Sequence, residues 1–188
     1  LMVVTAADSL TLADGSTHST GFWAEELVVA HRDLIAAGHR VTIATPGGKP
    51  APVDPGSLSL AIVGDQAKIT EFEAYLASIS AQLASPVALS DVVTSDFPRA
   101  DLAFDADLGA ILTQADATGV LIAPFCHGPA GLLSAVDAAG ASIFAGRRLT
   151  VFTDDEELTG GLGENSPWLV ARTLRERGAL VEDGPAWS

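Results

Sequence analysis

Six apolar residues, Val120-Leu-Ile-Ala-Pro-Phe125, run straight into Cys126-His127, and Cys126 is the only cysteine among 188 residues. Such a run is too short for a membrane span and has the length of a buried strand. Gly128-Pro129 then marks a tight turn, and a helix is expected from 131 to 139. Strand, turn and helix with a reactive pair between them is the arrangement at the carboxyl end of an inner strand in an open parallel sheet, where ligands bind. A chain built around this stretch must therefore provide neighbouring strands and covering helices.

The remaining sequence provides alternating elements. Residues 1–7 form an apolar run of strand type, and 8–20 read as a Ser/Thr-rich loop. From Gly21, Phe22, Leu27, Val28, His31, Leu34 and Ile35 recur at helical spacing, with Gly38 as a stop. Residues 40–45 form a second strand, which makes a βαβ unit and implies parallel pairing. A helix is predicted at 69–83 on Ile69, Phe72, Leu76, Ile79 and Leu83, and another at 105–118. No continuous core strand is evident between 86 and 101. Residues 142–153 alternate as a hairpin-like excursion. A helix over 167–177 buries Trp168, Leu169, Ala171 and Leu174, and 179–182 forms a short last strand. Alternating strands and helices predict one α/β domain with helices on both faces of the sheet.

Hydrophobic residues make up 48% and charged residues 18% of the chain, which favours a buried core over disorder. The formal net charge of −14 argues against a basic nucleic-acid face and against anionic membranes. No apolar run reaches the length of a span, the first residues lack a basic leader, and a single cysteine gives no sign of an oxidising compartment, so the cytoplasm is expected. His31 and His39 fit a helix and its exit with no metal-ligand spacing, so no metal is expected, and His18 in the Ser/Thr loop reads as a surface histidine or a pocket-mouth residue.

A cysteine at a strand-to-helix turn is chemically placed. The helix N-terminus favours thiolate. Backbone N–H groups nearby, such as that of His127, point at an oxyanion formed on attack. His127 can act as base or imidazolium. Glu25-Glu26 on the first helix and Asp154-Asp-Glu-Glu157 after the excursion are candidate acids. Each has a plainer reading. A lone cysteine in an apolar run is more often inert, His127 could cap or pack, Glu25-Glu26 could be an exposed helix face, and the four acids 154–157 a solvated helix start. It is the Cys-His-Gly-Pro turn after an apolar run that raises Cys126 above them.

Phe125-Cys-His-Gly-Pro-Ala130, Thr20-Gly-Phe-Trp-Ala-Glu-Glu-Leu27, Ala44-Thr-Pro-Gly-Gly48, Asp54-Pro55 and Phe152-Thr-Asp-Asp-Glu-Glu157 together resemble the DJ-1/PfpI superfamily. The match is to its Hsp31-like, type 1 glutamine amidotransferase-like branch, and it runs in order along residues 1–187. The resemblance implies a flavodoxin-like three-layer α/β/α sandwich with a mostly parallel sheet and a nucleophile elbow. It implies Cys126 as nucleophile with His127 beside it, Glu26 as the acid that contacts the cysteine, and Glu157 as the acid that orients the histidine. His127, Gly128 and Trp23 become candidate oxyanion and substrate contacts. It further implies a cofactor-free glyoxalase III-type lyase that converts methylglyoxal or glyoxal to lactate or glycolate in a stress response. A small reactive carbonyl is then the expected partner, with no nucleic acid and no membrane, and the protein is expected to be a homodimer. An amide- or isonitrile-acting hydrolase, or a chaperone or redox stress protein, are the alternatives.

Two departures from the family pattern stand out. The family has an inner strand ending in a Gly-Gly-His-like loop that supplies a second oxyanion N–H. Here Ser95-Asp-Phe-Pro-Arg-Ala-Asp101 runs directly into a helix, so that strand and loop are expected to be missing near 97–100. The chain also stops at Gly184-Pro-Ala-Trp-Ser188, where relatives continue with a strand and a helix. Trp168 and Trp187 read as packing or interface residues.

Overall fold

A computed structural model of the chain describes residues 1–92, 102–160 and 163–185. The strand and loop expected to be missing near 97–100, and Trp187, lie outside the described residues. The chain divides into two compact units. The first holds Leu1–Thr11 and the described residues from Thr17 to 92, the second holds Leu12–Ser16 and the described residues from Leu102 onward. Among the described residues, no helix is long and apolar enough to cross a membrane.

In the first unit, strand β1 (Met2–Val3) and the hairpin β2 (Ser9–Thr11) and β3 (Thr17–Ser19) precede helix α1 (Ala24–Ala36) and strand β4 (Ile43–Thr45). The hairpin replaces the loop expected over 8–20. Its Ser and Thr residues are β-formers as well as loop formers, and Ser9↔Ser19 to Thr11↔Thr17 pair antiparallel. Three short helices and one long one follow: α2 (Leu60–Val63), α3 (Gln66–Ser78), α4 (Ser80–Ala84) and, after strand β5 (Val87–Ala88), α5 (Leu89–Val92). Strands β1, β4 and β5 make a parallel sheet in that order, with Met2↔Ile43 and Ala44↔Val87 in register. This is the βαβ unit read from the sequence.

Helix α1 buries Ala24, Leu27, Val28 and His31, a spacing of three and four residues that keeps one stripe inward. Leu34 and Ile35, expected on that stripe, are exposed at the helix end. Helix α3 begins where the Asp65 carboxylate accepts the N–H groups of Ala67 and Lys68, satisfying donors that the helix leaves unpaired. It buries Ile69, Phe72 and Leu76, and the last two share one cluster with Leu27 and Val28 of α1 and Ile43 of β4.

In the second unit, helix α6 (Ala106–Ala117) starts at Asp105, whose side chain accepts the Leu108 N–H. It buries Leu108 and Leu112, and Leu108 Cδ2 lies 3.1 Å from where Gly131 would carry a Cβ in a 3-10 turn, Gly128–Ser134. A Cβ on Gly109 would lie 2.3 Å from the Ser134 carbonyl oxygen, so only glycine lets the two segments approach this closely. Strand β6 (Arg148–Leu149), helix α7 (Asp154–Thr159), helix α8 (Val170–Glu176) and strand β7 (Leu180–Val181) complete the unit.

Two expectations are corrected here. The stretch 142–153 is not a hairpin. Its only regular strand, β6, pairs in parallel with β7, Arg148↔Leu180, because alternation is satisfied by any partner and the local turns, closed by Ala145 N–H on Ser142 and Arg147 N–H on Phe144, bring no second strand beside β6. The helix expected at 131–139 is a 3-10 turn that ends at Ser134. Beyond it, the Asp137 carboxylate accepts the N–H groups of Ala139 and Ala141 and bends the chain into a Val136↔Ser142 bridge, a local alternative to helix that Asp favours.

Candidate active site

The apolar run 120–125 is not a strand among the described residues, and none of the described strands pairs with it. Leu121 is 89% exposed and Phe125 58%. Composition gives a segment strand character, but a ladder partner makes it a strand. In its place, the Val120 N–H closes helix α6 on the Ala115 carbonyl at 2.9 Å, and the Phe125 carbonyl accepts the Gly128 N–H at 2.5 Å.

The turn at Cys126 is nonetheless formed. Cys126 has φ 50°, the only positive φ at a non-glycine residue among the described ones. The left-handed region costs a residue with a Cβ on the order of 1–2 kcal/mol. On an extended chain, adjacent side chains point to opposite faces. The turn instead puts neighbours together, with Cys126 Sγ 3.4 Å from His127 Nδ1. Relieving the strain gives a direct check. Cys126→Gly is expected to be about 1 kcal/mol more stable than Cys126→Ala in thermal or chemical unfolding, because alanine keeps the disfavoured Cβ.

The other side of the imidazole meets Glu157, with Nε2 3.2 Å from Oε1. The His127 side chain is half exposed, at 50%, whereas that of Glu157 is 8% exposed. Local chemistry explains why this one acid of four turns inward. Thr153 and Glu156 form a capping box: the Thr153 hydroxyl accepts the Glu156 N–H and the Glu156 carboxylate accepts the Thr153 N–H. This fixes the start of α7. Asp154 is held outward by Arg172, through its N–H at 3.2 Å and its guanidinium at 3.3 Å, and Asp155 is exposed. Glu157 then faces α8, where the Val170 N–H donates to Oε2 at 3.0 Å. Its backbone is crossed by Gly163, whose N–H donates to the Glu157 carbonyl and whose Cβ, if present, would lie 2.7 Å from the Glu157 carbonyl carbon. A buried carboxylate with two donors is satisfied without a metal or a lysine.

The resulting line, thiol to imidazole to buried carboxylate, can move a proton from sulfur to Nδ1 while Nε2–H donates to Glu157. Phe152 adds a ring against the imidazole, with centroids 4.5 Å apart at 33°. Sequence reasoning missed Phe152, Val170 and the capping box. Thr153-x-x-Glu156 carries the sequence signature of the box. A backbone donor and a ring stack have none.

Gly128, expected among the oxyanion donors, already spends its N–H on Phe125. Glu26 and Trp23 belong to the first unit. Trp23 is the N-cap of α1. Glu26 is partly buried in the first turn of α1, whereas its neighbour Glu25 is exposed and lies 3.7 Å from Lys68.

No family model matches the chain. Among characterised proteins, it is similar to the protein/nucleic acid deglycase HchA of Staphylococcus aureus. For strain RF122 the identity is 28% over 96% of this chain and 67% of the relative, and for strain MRSA252 27% over 98% and 74%. Two crystal structures share the fold over the whole chain. One is the Francisella tularensis Rapid Encystment Protein 24 kDa, at TM-score 0.82 and 23% identity over 84% of that protein. The other has a TM-score of 0.73 and 32% identity over 82% of its length. The relatives' name overturns one expectation, that of a small carbonyl as sole partner with nucleic acid excluded. Net charge speaks to a groove that tracks phosphates. It does not speak to a modified base or amine presented singly to a nucleophile.

Proposed function

Because the chain belongs to the DJ-1/PfpI superfamily, in its Hsp31-like branch, we propose that it is a cysteine-dependent enzyme of methylglyoxal chemistry. In this reading it converts methylglyoxal to lactate, and glyoxal to glycolate, without glutathione, metal or cofactor. The observation that carries the reading is the Cys126–His127–Glu157 line, at 3.4 and 3.2 Å.

The proposed steps balance. The Cys126 proton passes to His127, and the thiolate adds to the aldehyde carbon to give a hemithioacetal. The proton on that carbon moves to the neighbouring carbon through an enediol, which turns the ketone into an alcohol and the hemithioacetal into a thioester. Water then cleaves the thioester, releasing lactate and restoring the thiol. Methylglyoxal plus water thus becomes lactate with no external oxidant. Glu157 holds the imidazole and offsets its positive charge. The His127 backbone N–H is assigned to the oxyanion. Glu26, matched by motif alone, is assigned to the proton transfers, and Trp23 to the substrate's flank. An exposed catalytic thiol suits a reducing compartment such as the cytoplasm.

The name of the relatives supports a second substrate form for the same chemistry: the dicarbonyl already added to an amine of protein or nucleic acid. Attack at the same carbon would release the amine. Comparing Glu26→Gln with the wild type on free methylglyoxal tests the acid assignment. A fall in kcat of about 100-fold or more is expected, from loss of a positioned acid–base group, with unfolding unchanged. Activity within about 2-fold of wild type would remove Glu26 from the mechanism.

A further inference from the structure

We propose that Phe152 is a positioning residue that holds the His127 imidazole between Cys126 and Glu157. The inference rests on the reading of Cys126 as the nucleophile. Phe152 meets the site at three levels. Its backbone N–H reaches the Cys126 carbonyl at 3.5 Å, so it borders the strained turn itself. Its ring lies against the His127 ring, with centroids 4.5 Å apart and planes inclined at 33°. The next residue, Thr153, caps the helix that carries Glu157.

The imidazole needs such support. It is half exposed, and of its two polar contacts the one to Glu157, at 3.2 Å, is at the long end for nitrogen and oxygen, while the one at 3.4 Å is to a thiol, a weak hydrogen-bonding group. Exposed side chains hop between rotamers within nanoseconds, and each hop of His127 would break both contacts together. A ring stacked on one face blocks that rotation and keeps Nδ1 on Sγ and Nε2 on Oε1. The electron-rich face of phenylalanine also favours a cation, so it suits the imidazolium that forms when the thiol gives up its proton. Leu, of similar apolarity but with no flat face, would fill part of the space without fixing the plane.

The test uses the single cysteine of the chain, since alkylation by iodoacetamide then reports Cys126 alone. Phe152→Leu is expected to slow alkylation at neutral pH about 10-fold, and to lower kcat for methylglyoxal by a similar factor with KM held, as for a displaced but intact catalytic group. Phe152→Tyr, which keeps the ring, is expected to restore both to within about 2-fold, with the same thermal midpoint as Phe152→Leu. In the wild type, the His127 ring protons should be shifted upfield in NMR by the stacked ring. Wild-type alkylation rates in folded Phe152→Leu, equal slowing in Phe152→Tyr, or unshifted His127 protons would each overturn the proposal. Were methylglyoxal not a substrate at all, the glyoxalase reading would fall while alkylation and NMR still decided the role of Phe152.

Discussion

Cys126→Ala is expected to lower kcat/KM for methylglyoxal by at least about 1,000-fold, the loss typical of removing a covalent nucleophile. No other thiol exists in the chain to take its place. Alanine retains the Cβ and hence the φ 50° strain, so the turn and the His127–Glu157 pair should persist and the thermal midpoint should stay close to that of wild type. The comparison therefore isolates chemistry from folding. Residual dicarbonyl loss in the variant should match that of lysine and arginine side chains reacting slowly in any protein. Lactate formed by Cys126→Ala at wild-type rates would reject the thiol mechanism outright.

Glu157→Gln is expected to lower kcat about 100- to 1,000-fold while leaving KM and stability almost unchanged. Glutamine is nearly isosteric, and its side-chain oxygen can still accept from Val170 N–H or from His127, contacts now at 3.0 and 3.2 Å. It cannot balance the charge of an imidazolium, and its amide can present a donor where the ring needs an acceptor. The wrong tautomer then points a proton at the thiol. Glu157→Ala should differ in kind. It strips the partner from a buried Val170 N–H and should cost about 1–3 kcal/mol of stability as well as activity. Full turnover in Glu157→Gln, measured alongside an unfolding curve, would reduce Glu157 to a structural acid.

Much of the scaffold could be read from the residues, because its signals are local. Asp65 and Asp105 cap α3 and α6 as short acceptors before an apolar stripe, and Gly38 ends the α1 region at φ 85°. Residues 120–125 and 142–153 were misread because strand identity is settled by a partner far away in sequence. Arg148 finds Leu180 across 31 intervening residues, while the described residues give 120–125 no strand to pair with. Within the site, Cys126 and His127 stood out by adjacency at a Gly-Pro turn, and Glu157 by its family motif. Val170 contributes a main-chain N–H, which has no residue pattern, and Phe152, though it heads a matched motif, contributes a ring face that the motif does not disclose. The exclusion of nucleic acid rested on net charge, a property of the whole surface, and missed that a nucleophile meets one modified group at a time.

The most direct measurement is proton NMR of the purified wild-type protein with methylglyoxal, in buffer free of glutathione and containing EDTA. A lactate methyl signal is expected that grows in step with the loss of methylglyoxal, through many turnovers per protein, and that vanishes after alkylation of Cys126. Methylglyoxal lost only to protein adducts, with no lactate signal, would contradict it.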